Sequence, residues 1–281
     1  MDRCIIVIPC YNEAARLDAG AFRQFVARGH PQRFLFVNDG STDDTASVLE
    51  TLRRGNPNRF DVYHLPRNMG KAEAVRRGML RALSSGGDSV GYWDADLATP
   101  LEAIPQFCGL LGSNPRLQIV IGARVKLLGR DIQRRFVRHL LGRLFATVAS
   151  VVLRLPVYDT QCGAKLFRVS PETRVLFGRP FRTNWIFDVE LLARFVRGRK
   201  AGSLPAAEDA IYELPLGQWR DVAGSKVKVR DFFKSFFELV EIYWIYLRPG
   251  AAAAVPAVPL PSADDAAAAH PDVSRRRQRA A

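Results

Sequence analysis

Acidic side chains are in short supply: 28 Asp and Glu stand against 41 Lys and Arg, leaving a net charge of +13. Such an excess calls for an anionic partner, and nucleic acid, anionic lipid and phosphorylated substrates all qualify. Cysteine is scarce too. Cys4, Cys10, Cys108 and Cys162 are widely spaced, with no CxxC pair and no histidine at metal-ligand spacing. Reduced thiols in a cytosolic chain are therefore expected. No stretch approaches the ~18 apolar residues of a membrane span without a charge, and the longest candidate, Leu144 to Leu153, is too short. A signal-peptide pattern is also missing, because the N-terminus runs straight into a strand-like segment. A soluble or peripheral chain follows as the expectation.

What is present is a core. Hydrophobic residues make up 48% of the chain, enough for a globular fold. Cys4–Ile8, Phe34–Val37, Val62–Leu65, Val90–Trp93 and Ile119–Gly122 are apolar runs of the kind buried on both sheet faces. Between them, Ser41-Thr-Asp-Asp44 reads as a capping-box start for a helix with Val48, Leu49 and Leu52 on one face. Ala72, Val75, Met79, Leu80 and Leu83 give the period of the next helix. Alternating strands and helices predict an α/β fold with a mostly parallel sheet covered on both sides. Further on, Ile132 to Leu155 reads as a long helix, Ala164–Val169 as a strand, Phe187–Val196 as a helix and Asp231–Leu247 as an aromatic-rich helix. The segment from Gly250 to the end is rich in Ala and Pro and basic at its tip, a composition expected to stay disordered.

Ligands of parallel α/β sheets bind at the carboxyl ends of strands, and three such ends carry polar motifs. Pro9-Cys-Tyr-Asn-Glu13 offers an apolar platform and a carboxylate for hydroxyl groups. It lacks the GxGxxG glycines of a dinucleotide fold. Asp39, before the turn-forming Gly40, could accept the imino proton of a uracil ring; an acidic helix cap is the plainer alternative. Tyr92-Trp-Asp-Ala-Asp96 is the most specific. Alternation along an extended chain predicts that Asp94 and Asp96 point the same way. Two adjacent carboxylates repel unless a cation joins them. Mg²⁺, or Mn²⁺ in its place, satisfies such a pair when it also takes diphosphate oxygens.

These motifs, with Asn38-Asp-Gly-Ser-Thr-Asp43 and Asn68-Met-Gly-Lys71, occur in the order of family 2 glycosyltransferases with the GT-A fold, which the chain resembles. Tyr158-Asp-Thr-Gln-Cys-Gly-Ala-Lys-Leu-Phe167, Trp185-Ile-Phe-Asp-Val-Glu190 and Trp219 with Gly224-Ser-Lys226 resemble its dolichyl-phosphate β-glucosyltransferase branch and bacterial polyprenyl-phosphate relatives. The resemblance covers roughly residues 4 to 230. It implies a nucleotide-binding half over 1–123 and an acceptor half over 124–249. Pro9, Tyr11 and Glu13 would hold base and ribose, Asp39 the uracil, and Lys71 the diphosphate. Asp94 and Asp96 would frame sugar and metal. Glucose from UDP-glucose would pass, with inversion, to a polyprenyl phosphate; GDP-mannose or a soluble alcohol acceptor is the alternative. Eukaryotic members carry an N-terminal membrane helix, whereas this chain begins at the first strand.

On the acceptor side, arginine forks match phosphate oxygens. Arg124 and one or more of Arg134, Arg135 and Arg138 are expected to bind the acceptor phosphate, alongside Gln161 and Lys165. The resemblance places Asp188 as a carboxylate near the acceptor. Lys226, Lys228, Arg230 and Lys234 precede an aromatic-rich helix, a pattern that suits either an anionic membrane surface or a buried helix. A cytoplasmic enzyme, peripheral at the inner membrane face, is the resulting expectation. Acidic strand ends would repel a nucleic acid, which is not expected as a partner.

Overall fold

Strand β1 (Cys4–Cys10) sends Ile5 and Val7 into one hydrophobic cluster and Cys4, Ile6 and Ile8 into another. A strand apolar on both faces needs cover on both, and the rest of the chain supplies it. The computed structural model describes residues 3–133, 136–200, 206–220 and 229–250, and within them the side chains of all but 133–141, 200 and 229–233.

The elements in order are β1, α1 (Ala19–Ala27), β2 (Arg33–Asn38), α2 (Thr45–Gly55), β3 (Phe60–His64), α3 (Lys71–Ser84) and β4 (Ser89–Trp93). They continue as α4 (Ile104–Ser113), β5 (Ile119–Ala123), β6 (Asp131–Gln133), α5 (Phe136–Leu153), β7 (Ala164–Arg168), α6 (Pro171–Gly178) and α7 (Phe187–Lys200). The last are α8 (Ala207–Ala210), β8 (Ile211–Pro215), β9 (Gln218–Arg220), α9 (Val229–Ile242) and a π-helical turn, Tyr243–Leu247. Seven strands form one sheet in the order β3-β2-β1-β4-β7-β5-β8, and β6 pairs with β9 in a small second sheet. Every neighbour in the large sheet is parallel except β7, which runs antiparallel to both β4 and β5. The mostly parallel, doubly covered sheet expected from the sequence is present. Side chains of α3, α5, α6 and α7 fill one cluster, and those of α1, α2 and α4 the other.

Two local expectations give way. Ile132 and Gln133 are strand, not helix, because they pair in register with Trp219 and Arg220, partners distant in sequence; the described helix spans Phe136–Leu153. The Ser41–Asp44 stretch is no capping box: α2 starts at Thr45, and Asp44 makes no side-chain cap bond. Its polar groups are used between loops instead, as described below. The aromatic helix is amphipathic in its described part. Leu239 and Ile242 are buried, whereas Phe237 is 77% exposed and Trp244, on the following turn, 55%. No helix among the described residues is long and apolar enough to cross a membrane.

The site depends on how closely α3 lies on the sheet. Gly78 permits this, since a Cβ there would overlap the side chains of Val7 and Val37. In an open helix, Gly→Ala stabilises. Here Gly78→Ala should instead cost about 1–3 kcal/mol through overpacking. Urea denaturation of the variant against the wild type checks the sign.

Candidate active site at the carboxyl end of the sheet

Strands β1, β2 and β4 end side by side, and their loops are stitched together by the small polar residues of the motifs. Ser41 Oγ accepts from Asn12 N (3.1 Å), and Asn12 Oδ1 from Thr42 N (2.9 Å). Thr45 Oγ1 accepts from Glu13 N (2.8 Å), while Asp43 accepts from Ala14 N (3.2 Å) and Thr45 N (3.0 Å). These bonds, charge-assisted at Asp43, order both loops without a regular element. Asn12 adopts a positive φ of 52°, a conformation asparagine tolerates better than most residues. Pro9, Tyr11 and Glu13 are partly buried along this edge.

Asp39 is nearly fully buried, and its two oxygens accept from the amides of Met69 (2.7 Å) and Gly70 (2.9 Å). The carboxylate assigned by sequence to a base therefore ties β2 to the loop that launches α3. Gly40 is needed beside it, because φ is +61° and a Cβ would overlap the backbone of Arg67 and Asn68. The loop delivers Lys71 to the first turn of α3, where the helix dipole disfavours a cation. Its ammonium lies 2.5 Å from Asp94 Oδ1, which offsets that cost. Burial works against the Lys71 charge, but Asp94, Asp188 and Asp96 outweigh it and raise its pKa.

Asp94 and Asp96 come together by a different route from the expected strand alternation. β4 ends at Trp93, and a turn follows in which Leu97 N donates to Asp94 O (3.2 Å). Leu97 takes φ = 52°, a strained value for a residue that is not glycine. Asp96 Oδ1 accepts from Ala98 N (3.0 Å), and Arg16 Nη2 stands 3.8 Å from Asp96 Oδ2. Burial and the nearby Asp94 charge push the Asp96 pKa up. Beneath them, Asp94 N donates to Gly163 O (3.1 Å), and a Cβ on Gly163 would overlap the Asp94 carboxylate. Glycine is thus required to seat the carboxylate. Among the described residues no set of three or more His, Cys, Asp or Glu is grouped to hold a metal. The seated pair fits a hard divalent ion that draws its other ligands from phosphate and water.

Asp188 opens α7 and is buried. Its Oδ1 accepts from Lys165 Nζ (2.6 Å) and from the Tyr92 hydroxyl. Tyr92 and Lys165 are direct cross-strand partners on β4 and β7, so the antiparallel strand is what aims both at Asp188. Lys165 is wholly buried and also donates to Cys162 O (2.7 Å). Expected as an acceptor contact, it lies under the site as the counter-charge of Asp188. Arg124, expected to bind the acceptor phosphate, is engaged within the chain: its fork closes on Asp159 at 2.6 and 2.7 Å and lies 5.3 Å from the Trp219 ring centroid. Gln161 is partly exposed beside Asp159, whose Oδ1 accepts its amide (3.3 Å). Burial pushes the Cys162 thiol up to about 11, which suits an inert packing residue. Arg134 and Arg135 lie outside the described residues, as does the side chain of Arg138.

The sequence reading missed Arg16, which no pattern marks, and the positioning roles of Tyr92, Asp159 and Gly163. Those three stand inside the quoted motifs, which were the available signal.

Residues 5–175 match the profile of glycosyl transferase family 2. The chain belongs to that family. Within glycosyl transferase family 2, it is 30% identical over 256 residues to dolichyl-phosphate beta-glucosyltransferase ALG5C of Trichomonas vaginalis, covering 87% of this chain and 71% of the relative. The human dolichyl-phosphate beta-glucosyltransferase is 31% identical over 238 residues, covering 79% and 68%. Among solved structures, glucosyl-3-phosphoglycerate synthase from Mycobacterium tuberculosis in complex with Mn²⁺ and UDP-glucose superposes with a TM-score of 0.61. At 20% identity, covering 86% of this chain and 79% of that one, it shares the GT-A fold.

Removing one partner of a buried ion pair leaves an uncompensated charge. Lys165→Met should therefore lower stability by about 3–5 kcal/mol. Adding Asp188→Asn should restore part of the loss, a coupling measurable by urea unfolding of the double-mutant cycle.

Proposed function

We propose that this glycosyltransferase moves glucose from UDP-glucose to a polyprenyl phosphate, with inversion at the anomeric carbon. The observation that carries the reading is the Asp94–Asp96 pair seated over Gly163 and faced by Lys71. The names of the relatives at about 30% identity supply the sugar and the lipid class. The Mn²⁺ and UDP-glucose held by a fold neighbour supply a precedent for donor and metal.

In this reading Pro9, Tyr11 and Glu13 hold base and ribose, and Asp39 adds only the lone pairs left by Met69 and Gly70. Asp94 and Asp96 hold Mg²⁺ or Mn²⁺, which when bound would stabilise charge on the leaving diphosphate. Lys71 contributes a second positive charge beside it. Asp188 keeps one oxygen on Lys165 and Tyr92 and so acts as a fixed anion near the acceptor. A phosphate monoester, with a second pKa of about 6, is mostly a dianion at neutral pH and needs no general base. An alcohol would need one, which the second Asp188 oxygen would have to supply. The acceptor phosphate oxygen attacks the anomeric carbon, and the bond from that carbon to the diphosphate oxygen breaks, releasing UDP. Gln161 and the arginines at 134, 135 and 138 remain the candidates for holding the incoming phosphate.

An anionic membrane surface is the proposed location. Leu144, Val151, Phe237, Val240, Tyr243 and Trp244 are all exposed on α5, α9 and the π-helical turn. Grouped apolar surface on a monomer signals an interaction site. Lys234, 61% exposed and 3.7 Å from Glu238, adds a basic group on the same helix, of the sign that anionic lipid attracts.

With Mn²⁺ present, UDP-glucose should raise the thermal midpoint of the wild type, by the equivalent of ~2.7 kcal/mol at a hundred times Kd. EDTA and Asp94→Asn should each abolish the shift, and glucose should appear on added polyprenyl phosphate. A shift indifferent to chelator, or glucose transferred only to soluble alcohols, would sink the reading. For the membrane, the wild type should float with vesicles containing phosphatidylserine, and the Phe237→Glu/Trp244→Glu double variant should stay at the bottom of the gradient.

A further inference from the structure

Resting on the donor-site reading and deepening it, we infer that Lys71 is a charge placeholder that reserves Asp94 for a metal–diphosphate pair and against metal alone. Its ammonium sits 2.5 Å from Asp94 Oδ1, where it would compete with a metal ion for that oxygen. Arg16 guards the other carboxylate more loosely, 3.8 Å from Asp96 and 3.6 Å from Glu13.

Three features make this contact a competitor rather than a brace. The Lys71 side chain is 46% exposed, so it can leave Asp94 without unpacking the core. It stands on the first turn of a helix, where its charge is disfavoured and an anion is welcomed. Asp94 holds the ammonium; the phosphates of a nucleotide would satisfy both it and the helix end. Finally, with no third ligating side chain grouped there among the described residues, two carboxylates make a poor metal site alone. One of those two is already neutralised by Lys71. A divalent ion arriving without diphosphate must displace the ammonium into water against the field of three carboxylates, Asp94, Asp188 and Asp96. With diphosphate present, Lys71 moves from one anion to another, and little is lost. Donor and metal binding are therefore coupled through this side chain, and the coupling is reciprocal.

The test is Mn²⁺ binding to the nucleotide-free, full-length protein, read from the electron paramagnetic resonance signal of free Mn²⁺. Lys71→Met should bind Mn²⁺ alone roughly tenfold tighter than the wild type, the scale of one charge-assisted hydrogen bond. Lys71→Arg, which keeps the charge, should stay at the wild-type value. Added UDP should tighten Mn²⁺ binding strongly in the wild type and much less in Lys71→Met. If Lys71→Met binds Mn²⁺ no tighter than wild type, or more weakly, the placeholder role is overturned. Should UDP leave wild-type Mn²⁺ affinity unchanged, the donor-site reading itself fails, which is a separate result.

Discussion

Crowded negative charge at the carboxyl end of β4 is the constraint around which the rest of the site is arranged. Asp94, Asp96 and Asp188 are close enough to act together on the Lys71 ammonium, and each stands beside its own partner. Asp94 has Lys71, Asp96 has Arg16 at a looser distance, and Asp188 has Lys165 and Tyr92. The three solutions differ in exposure. Lys165 is sealed in the core and fixes Asp188, whereas Lys71 and Arg16 face solvent and can be exchanged for a ligand. Permanent and replaceable countercharges thus lie side by side, as expected where a carboxylate must be positioned before a charged substrate arrives.

The glycines show how closely the sheet end is built. Gly40 lets the β2 loop lie on the backbone of Arg67 and Asn68, and Gly163 leaves room for Asp94. Gly78 brings α3, and with it Lys71, down onto Val7 and Val37. Each occupies a place where a Cβ would overlap the group packed against it. The polar motif residues work in the same manner. Asn12, Ser41, Asp43 and Thr45 join two loops that otherwise share no ladder.

Placed on the family's frame, the second half of the chain does two jobs. β7 enters the sheet between β4 and β5 and underpins the reacting end, while α5 and α9 present apolar surface to the outside. α9 and the π-helical turn after it are fastened to the segment that carries Asp188: Glu238 accepts from Ile186 N (3.2 Å) and Tyr246 donates to Glu190 (2.8 Å). The exposed apolar face and the buried carboxylate therefore belong to one connected piece of structure.

The strand runs, their order and the acidic strand tips were legible in the sequence, because burial on both faces and turn chemistry leave local patterns that survive without tertiary information. The nomination of Asp94, Asp96, Asp188 and Lys71 as candidate site residues rests on motifs of the same local kind and on the family resemblance they carry. Which partner each charge would take did not. Arg124 and Lys165 look like free phosphate binders in sequence, yet Asp159 and Asp188, distant along the chain, claim them. The antiparallel entry of β7 sets Tyr92 opposite Lys165 and Gly163 under Asp94, and strand pairing between distant segments has no local signature. Ile132 and Gln133 became strand for the same reason. Sequence determined which groups are charged and where the chain turns; tertiary structure alone decided which charges are spent on each other and which remain for a ligand.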